Sequence, residues 1–417
     1  MILLGAVADD VTGAADLCST LVREGLRTVQ VLGDARDLEL PDVEAVVVAL
    51  KSRTAPVDRA VRESTDALER LVALGARQIL FKYCSTFDST PEGNIGPVAD
   101  ALLDALGADI TVVCPAYPEN GRTVYRGHLF VGDVLLSESS MARHPLTPMT
   151  DANLVRVLGR QTHRPVSLVP YDVVADGAAA IVLRLDELRR AGVAYAVVDA
   201  LDDAQLRAVG EACEGMRLVT GGSDVARGLP ANFGTGAAAA AAHAQRLEAP
   251  PVDAPAVVLA GSCSQATNEQ VERMAARYPA VKVDVADTGG LDALADAALA
   301  RLGDGAVLVY STAPPDEVAR VQELVGPEEA SSRVESLLGE LACRLVAGGA
   351  RRLVLAGGET SAAVLQRLGV RALAVGHEIA PGVPWMTSLG EPRLAVALKS
   401  GNFGGPDFFL EALGVAG

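Results

Sequence analysis

The chain is short of positive charge: 36 Lys and Arg stand against 53 Asp and Glu among 417 residues, a net −17 at neutral pH. A nucleic-acid binder needs a basic face to displace counterions, so the charge argues against that class, and docking on anionic membranes is disfavoured. No apolar run reaches the roughly 18–20 residues that a membrane-crossing helix needs. The opening residues, MILLGAVADD, lack the basic n-region and cleavage site of a signal peptide, which points to the cytoplasm. The six cysteines, at 18, 84, 114, 213, 263 and 343, form no CxxC pair, and the five histidines show no metal-ligand spacing. That sets aside a disulfide framework and a zinc site, leaves no metal ligand to assign, and suggests reduced thiols. No GxxxxGK[ST] string occurs, which excludes a P-loop.

What is present is a large apolar content, 50% of residues, enough for a sizeable core. Short β-branched runs at 2–8, 28–32, 45–50, 78–82 and 110–114 predict strands, and the amphipathic stretches 12–24, 57–74 and 95–106 predict helices. Further strands are expected at 195–199 and 217–220, and the alanine run 236–243 reads as a helix. Residues 248–256 hold three prolines, which neither a helix nor a central strand tolerates, and mark a linker. A second series follows, with strands at 256–260, 281–285, 306–310, 352–356 and 394–398 and helices at 267–277, 291–302, 329–347 and 360–368. The expected fold is α/β, with domains at 1–247 and 257–417, each a largely parallel sheet flanked by helices. Two such domains imply a cleft between them, a preferred place for small ligands.

Ligands of open parallel sheets collect at the carboxyl ends of the strands, and the polar segments 9–13, 83–96 and 115–127 fall there. Asp9 and Asp10 close a buried strand, where adjacent carboxylates can activate a hydroxyl or hold a divalent cation; a helix N-cap would explain one of them. The string KYCSTFDSTPEGNIG gathers Lys82, Ser85, Thr86, Asp88, Ser89, Thr90 and Asn94 in fifteen residues. It offers a lysine for a carboxylate, and hydroxyls and an amide for sugar oxygens, or else it is a solvated loop. Lys51 and Arg53 add positive charge at the same rim. Arg122 and Arg126 in GRTVYRG could clamp an anion or form surface salt bridges. In the second domain glycine-rich turns follow three strands: Gly261 to Ser264, Gly357-Gly358-Glu359-Thr360-Ser361, and the run from Ser400 through Gly401 to Gly404 and Gly405. Glycine lets backbone approach a ligand closely, and N–H groups at helix starts attract anions, so phosphate binding competes with ordinary capping here. Cys84, Cys114 and Cys263 read as buried small apolar side chains, His144 as structural, and Trp385 as packing the C-terminal loop or, alternatively, as an adenine platform.

The strings VADDVTGAADL, KYCSTFDSTPEGNIGPV, RTVYRGHLFVGDVLLSESSMARHPLTPMTDANL, AGGETS, APGVPW and LKSGNFGGPDFF resemble the four-carbon acid sugar kinases, in the same order over nearly the whole chain. The KYCSTFDST form is similar to the 3-oxo-tetronate kinase branch, whereas threonate and erythronate kinases are marked by a KKIDST-like block. The resemblance implies ATP-dependent phosphorylation of the C4 hydroxyl of a 3-oxo-tetronate, with the sugar acid on the first domain and ATP with Mg²⁺ on the second. It also suggests a homodimer. Carried over by position, Ser262, residues 358–361 and Gly401 resemble ATP contacts, to which backbone arguments add Gly357 and Gly404, and a hydroxyl donor adds Ser264. Strand-end position makes Asp10 the expected general base, with Asp9 as alternative or orienting group. Lys82, Ser85, Thr86, Asp88, Asn94, Arg122 and Lys51 are the expected sugar-acid residues. A threonate or erythronate kinase, or a non-catalytic sugar-acid sensor, would share most of these features.

Overall fold

Runs such as Leu4–Ala8 and Ala45–Ala49 are buried along their whole length, so both faces of each strand need cover. That demand is met by a parallel sheet with helices on its two sides. In the computed structural model, which describes residues 1–33, 38–144, 147–234, 254–286, 290–303 and 305–414, the chain divides into two units, Met1–Arg246 and Leu247–Gly417.

The first unit contains β1 (Leu4–Ala8), α1 (Val11–Arg23), β2 (Thr28–Leu32), β3 (Ala45–Ala49), α2 (Val57–Ala73), β4 (Gln78–Lys82), α3 (Ile95–Leu106) and β5 (Thr111–Cys114). A three-stranded antiparallel ribbon follows, β6 (Arg122–Tyr125), β7 (His128–Val131) and β8 (Val134–Leu135). The unit ends with α4 (Leu154–Gly159), β9 (Val166–Val169), α5 (Tyr171–Ala175), α6 (Ala178–Arg190), β10 (Tyr195–Val198), α7 (Asp203–Ala212) and β11 (Leu218–Gly221). The strand order is β2-β3-β1-β4-β11-β5-β10-β9, every pair parallel. From β1 the chain runs outward to β2, returns to β3, and then crosses to β4 on the other side of β1. The carboxyl ends of β1 and β4 therefore flank the switch point, where ligands of such sheets bind.

The second unit repeats the device with β12 (Ala256–Ala260), α8 (Gln265–Ala275), β13 (Ala280–Lys282), α9 (Leu291–Leu302), β14 (Ala306–Tyr310), α10 (Pro315–Val325), α11 (Pro327–Ala347), β15 (Arg352–Ala356) and α12 (Gly358–Arg367). After these come β16 (Ala372–Ala380), β17 (Val383–Ser388), β18 (Ala395–Lys399) and α13 (Phe408–Ala412). Strands β13-β14-β12-β15-β18 are parallel in that order, and β17 and β16 continue the sheet antiparallel. The switch point lies between β12 and β15.

The ribbon and the β16–β17 hairpin were not expected from the sequence. A two-residue turn at Arg126 (φ 50°) and Gly127 (φ 73°) reverses the ribbon in the mirror-image geometry that suits twisted hairpins. Trp385 lies in the core on β17, with the Arg352 guanidinium 5.2 Å from its ring centroid and Phe408 and Phe409 in the same cluster. The alanine run 236–243 and most of the proline segment lie outside the described residues. Cys114 is buried as expected and Cys84 is half-buried, but Cys263 is exposed. It sits in the turn after β12, past the pleat that would have covered it. All six thiols are free.

Candidate active site

In the first unit three strand ends bring charged groups together. Asp9 follows β1 and donates its backbone N–H to the carbonyl of Lys82, which ends β4 in register with Ala8, and Arg53 follows β3. The Arg53 guanidinium grips Asp9 with two bonds of 2.8 and 2.9 Å and reaches Asp10 at 2.6 Å. Asp10 also caps α1, accepting from the Gly13 N–H at 3.1 Å and from the Thr12 hydroxyl at 2.8 Å. Glycine at 13 leaves room for both groups: a Cβ would lie 2.2 Å from an Asp10 oxygen and 2.9 Å from Lys82 Nζ, and would push them aside. Burial pushes the Asp10 carboxyl upward, but Arg53, Lys82 and the bonds from Thr12 and Gly13 together hold it below the usual carboxylate range. At Asp9 burial wins over Arg53 and the carboxyl is raised. The Asp10 side chain keeps 21% of its surface exposed and that of Asp9 only 7%, so a ligand can touch Asp10 more readily.

One helical turn beyond Thr12, Asp16 lies on the buried face of α1, 4% exposed. It accepts from Tyr117 Oη at 3.1 Å and from the Ser223 hydroxyl. Burial raises its carboxyl to about 6, although Lys82 and these two donors work the other way. Asp224, fully buried, is pushed up to about 7 by burial, with Arg227 Nε 3.1 Å away. Sequence reading missed Asp16, Asp224 and Arg227. The available signal was an aspartate on the buried, otherwise apolar face of a predicted helix, four residues from Thr12.

The other expected sugar-acid residues divide by role. Lys82 is 3% exposed and donates to the Tyr83 carbonyl at 2.9 Å. Thr86 donates to Asp88 at 2.6 Å, both buried, while Ser85 is half-buried in the turn. Phe87, between Thr86 and Asp88, has φ 53°, a strained backbone for an aromatic residue. Strain of this kind persists where the surroundings fix it and gathers at ligand sites. The Asn94 amide is spent on the carbonyls of Ser52, Arg53 and Ala55 at 2.7, 3.2 and 2.8 Å, and so holds the Arg53 loop against the start of α3. Arg122 starts β6, where its guanidinium bonds the Asn120 carbonyl and its backbone pairs with Tyr117. Lys51 is exposed, and Arg53 bonds both aspartates. Arg126 pairs with Asp172 at 2.8 Å. His144 accepts from the Thr147 N–H at 3.1 Å, in keeping with a structural role.

In the second unit the carboxyl ends of the parallel strands surround a cavity of about 820 Å³. Ser262, Gly357, Gly358, Glu359, Thr360 and Gly401 line it, with Val283, Val318, Val321 and Leu324 giving an apolar wall. At three positions glycine avoids a close contact or a strained backbone. A Cβ on Gly261 would lie 2.1 Å from the Thr360 hydroxyl, one on Gly401 2.5 Å from that of Ser262, and Gly357 has φ 119°. Ser264 caps α8 and binds the Gly401 carbonyl at 2.6 Å; Ser361 is fully buried; Gly404 packs on the Phe408 ring. These three shape the loops without lining the cavity. Lys399, unremarked in the sequence, lies fully buried beneath the last loop. Its signal was a lysine closing an otherwise apolar strand immediately before SGNFGG.

Two family models match the chain: a sugar-binding N-terminal domain over residues 4–229 and a nucleotide-binding C-terminal domain over residues 257–409. The chain belongs to the four-carbon acid sugar kinase family. Among curated relatives, 3-oxo-tetronate kinases of Cupriavidus necator and Pseudomonas fluorescens are 56% and 54% identical, each alignment covering 99% of this chain and 96% of the relative. That of Haemophilus influenzae is 44% identical over 99% of this chain and all of its own. A solved structure of a Haemophilus influenzae protein superposes with a TM-score of 0.78 at 44% identity, covering 98% of this chain and 99% of that one. One from Salmonella typhimurium LT2 reaches 0.87 at 42% identity and 99% of both chains. No described helix is long and apolar enough to cross a membrane.

Proposed function

We propose that the chain is an ATP-dependent kinase that moves the γ-phosphoryl group of ATP to the C4 hydroxyl of a 3-oxo-tetronate, releasing ADP and the 4-phosphate. The observation that carries this reading is full-length identity of 44–56% to relatives named 3-oxo-tetronate kinase, together with a glycine-walled cavity in the unit matched by the nucleotide-binding model.

The residues support a division of labour. The loops at Ser262, Gly357-Gly358 and Gly401 would cradle the phosphates, and the valine wall would take the adenine. Thr360 would add a hydroxyl donor. In the first unit Lys82 and Arg53 supply the positive charge that a sugar acid needs in a protein of net charge −17. Asp10, the more exposed aspartate, would accept the hydroxyl proton as transfer proceeds, and Asp9 would fix Arg53. A modest base suffices, because the loose transition state of phosphoryl transfer places most of the work on positioning and charge. Among the described residues no three His, Cys, Asp or Glu side chains gather into a metal cage. Mg²⁺ would therefore arrive on the nucleotide, whose phosphates it neutralises when bound, with Glu359 the carboxylate adjoining the glycine loop.

The regiochemistry is testable by ³¹P NMR of the product. A phosphate on C4 couples to two protons and gives a triplet; a doublet would place it on C2 and refute the assignment.

A further inference from the structure

Lys399 closes β18 and is fully buried, yet no carboxylate pairs with it among the described residues. Instead its ammonium sits among oxygens: Gly401 O at 2.8 Å, Thr267 Oγ1 at 3.0 Å, and Ser400 O and Phe403 O each at 3.2 Å. Neighbours pull in the same direction. The Thr267 and Ser264 hydroxyls reach Gly401 O at 2.9 and 2.6 Å, and the Gln270 amide reaches the carbonyls of Phe403, Gly404 and Gly405 at 2.9–3.2 Å. The carbonyls of this loop are thus drawn inward onto a buried cation. Gly401 lines the cavity, and among the described residues the N–H groups of Gly401 and Asn402 have no acceptor within the chain.

A buried ammonium without a counter-ion is costly, and burial alone lowers this lysine to about 7. Such a charge is retained where an anion completes it. We propose that Lys399 is a positioning residue of the nucleotide site: it holds the loop carbonyls inward, turns the free N–H groups of Gly401 and Asn402 toward the phosphate chain, and gives that chain a buried positive charge. This rests on reading the cavity as the nucleotide site. It assigns Lys399 to the phosphates and not to the base or the sugar acid.

The test is the affinity of full-length Lys399→Met for adenosine, AMP, ADP and ATP, measured by calorimetry beside the unaltered enzyme. The loss should grow with the phosphates, from none for adenosine to about tenfold or more for ATP, the usual worth of a charge-assisted bond. The KM for the sugar acid should stay within about twofold, that side of the reaction being untouched. Equal loss for adenosine and ATP would mean a merely structural lysine, and unchanged ATP affinity would overturn the proposal. Should the methionine variant not fold, Thr267→Val removes the hydroxyl bridging Lys399 and Gly401 while keeping the volume. It should give the same phosphate-graded loss, smaller in size, and no loss for ATP would be equally fatal. Failure of the unaltered enzyme to bind ATP at all would instead sink the nucleotide-site reading itself.

Discussion

At the scale of single residues the two adjacent aspartates are separated by their surroundings. Arg53 saturates Asp9, whereas Asp10 divides its oxygens among Arg53, Thr12 and the α1 cap and keeps some surface. Asn is as good an N-cap as Asp, so Asp10→Asn should keep α1 capped and the fold intact. Its kcat should fall by about 10²-fold or more, the usual range for a general base; turnover within a few-fold of normal would reject Asp10 in that role. Asp16 permits a pH test. Its folded pKa of about 6 lies above the unfolded value near 3.8, so the native state holds its proton more tightly. The resulting stability is fully present below about pH 4 and lost as pH rises through 6, a change of about 3 kcal/mol at most. Asp16→Asn removes that loss, so its melting temperature relative to the unaltered protein should climb between pH 4.5 and 8. A gap that does not change with pH would contradict the assignment.

At the scale of elements, strand-to-helix turns carry the site. The β1–α1 turn supplies Asp9, Asp10 and Gly13, and the β15–α12 turn supplies Gly357, Gly358 and Thr360. Such turns were legible because each needs its own residue types: aspartate to cap a helix, glycine where a Cβ would strike a neighbour or φ is positive. Core strands were legible as well; β2, β4, β12, β14 and β15 fall where their apolar runs predict. The antiparallel ribbon and β16 were not, since half-buried strands of two to nine residues alternate too weakly to separate from loop, and in β17, which is mostly buried, Pro384 interrupts the strand signal. Long-range partners were invisible for a different reason. Arg53 and Asp9 are 44 residues apart, and Ser223 and Asp16 207 apart, distances that only the sheet order closes. Gly357→Ala tests one turn directly. At φ 119° a side chain costs about 1–3 kcal/mol, and the new Cβ would lie 3.2 Å from the Ser262 nitrogen. The expected result is a lower melting temperature with a KM for ATP raised several-fold and a sugar-acid KM unchanged. Equal rises in both would remove this turn from the nucleotide site.

At the scale of the whole molecule, each unit places its site at the switch point of a parallel sheet and puts different chemistry there. The first unit concentrates paired ions around α1, suited to a small hydroxylated acid. The second joins glycine turns to an apolar wall, suited to a nucleotide. In a chain of strong net negative charge, Arg53, Lys82 and Lys399 are the cations through which the proposed function would bind its two anionic substrates. The measurement that reaches the central claim most directly is ADP release by the purified protein with Mg-ATP and a panel of four-carbon acids. L-threonate, D-threonate and D-erythronate would each be offered with and without a dehydrogenase that forms the 3-oxo acid in place. Turnover only when the dehydrogenase is present is the predicted result. Turnover on an unoxidised acid would contradict the substrate assignment and move the enzyme to a neighbouring branch of the family, and no ADP under any condition would contradict the kinase itself.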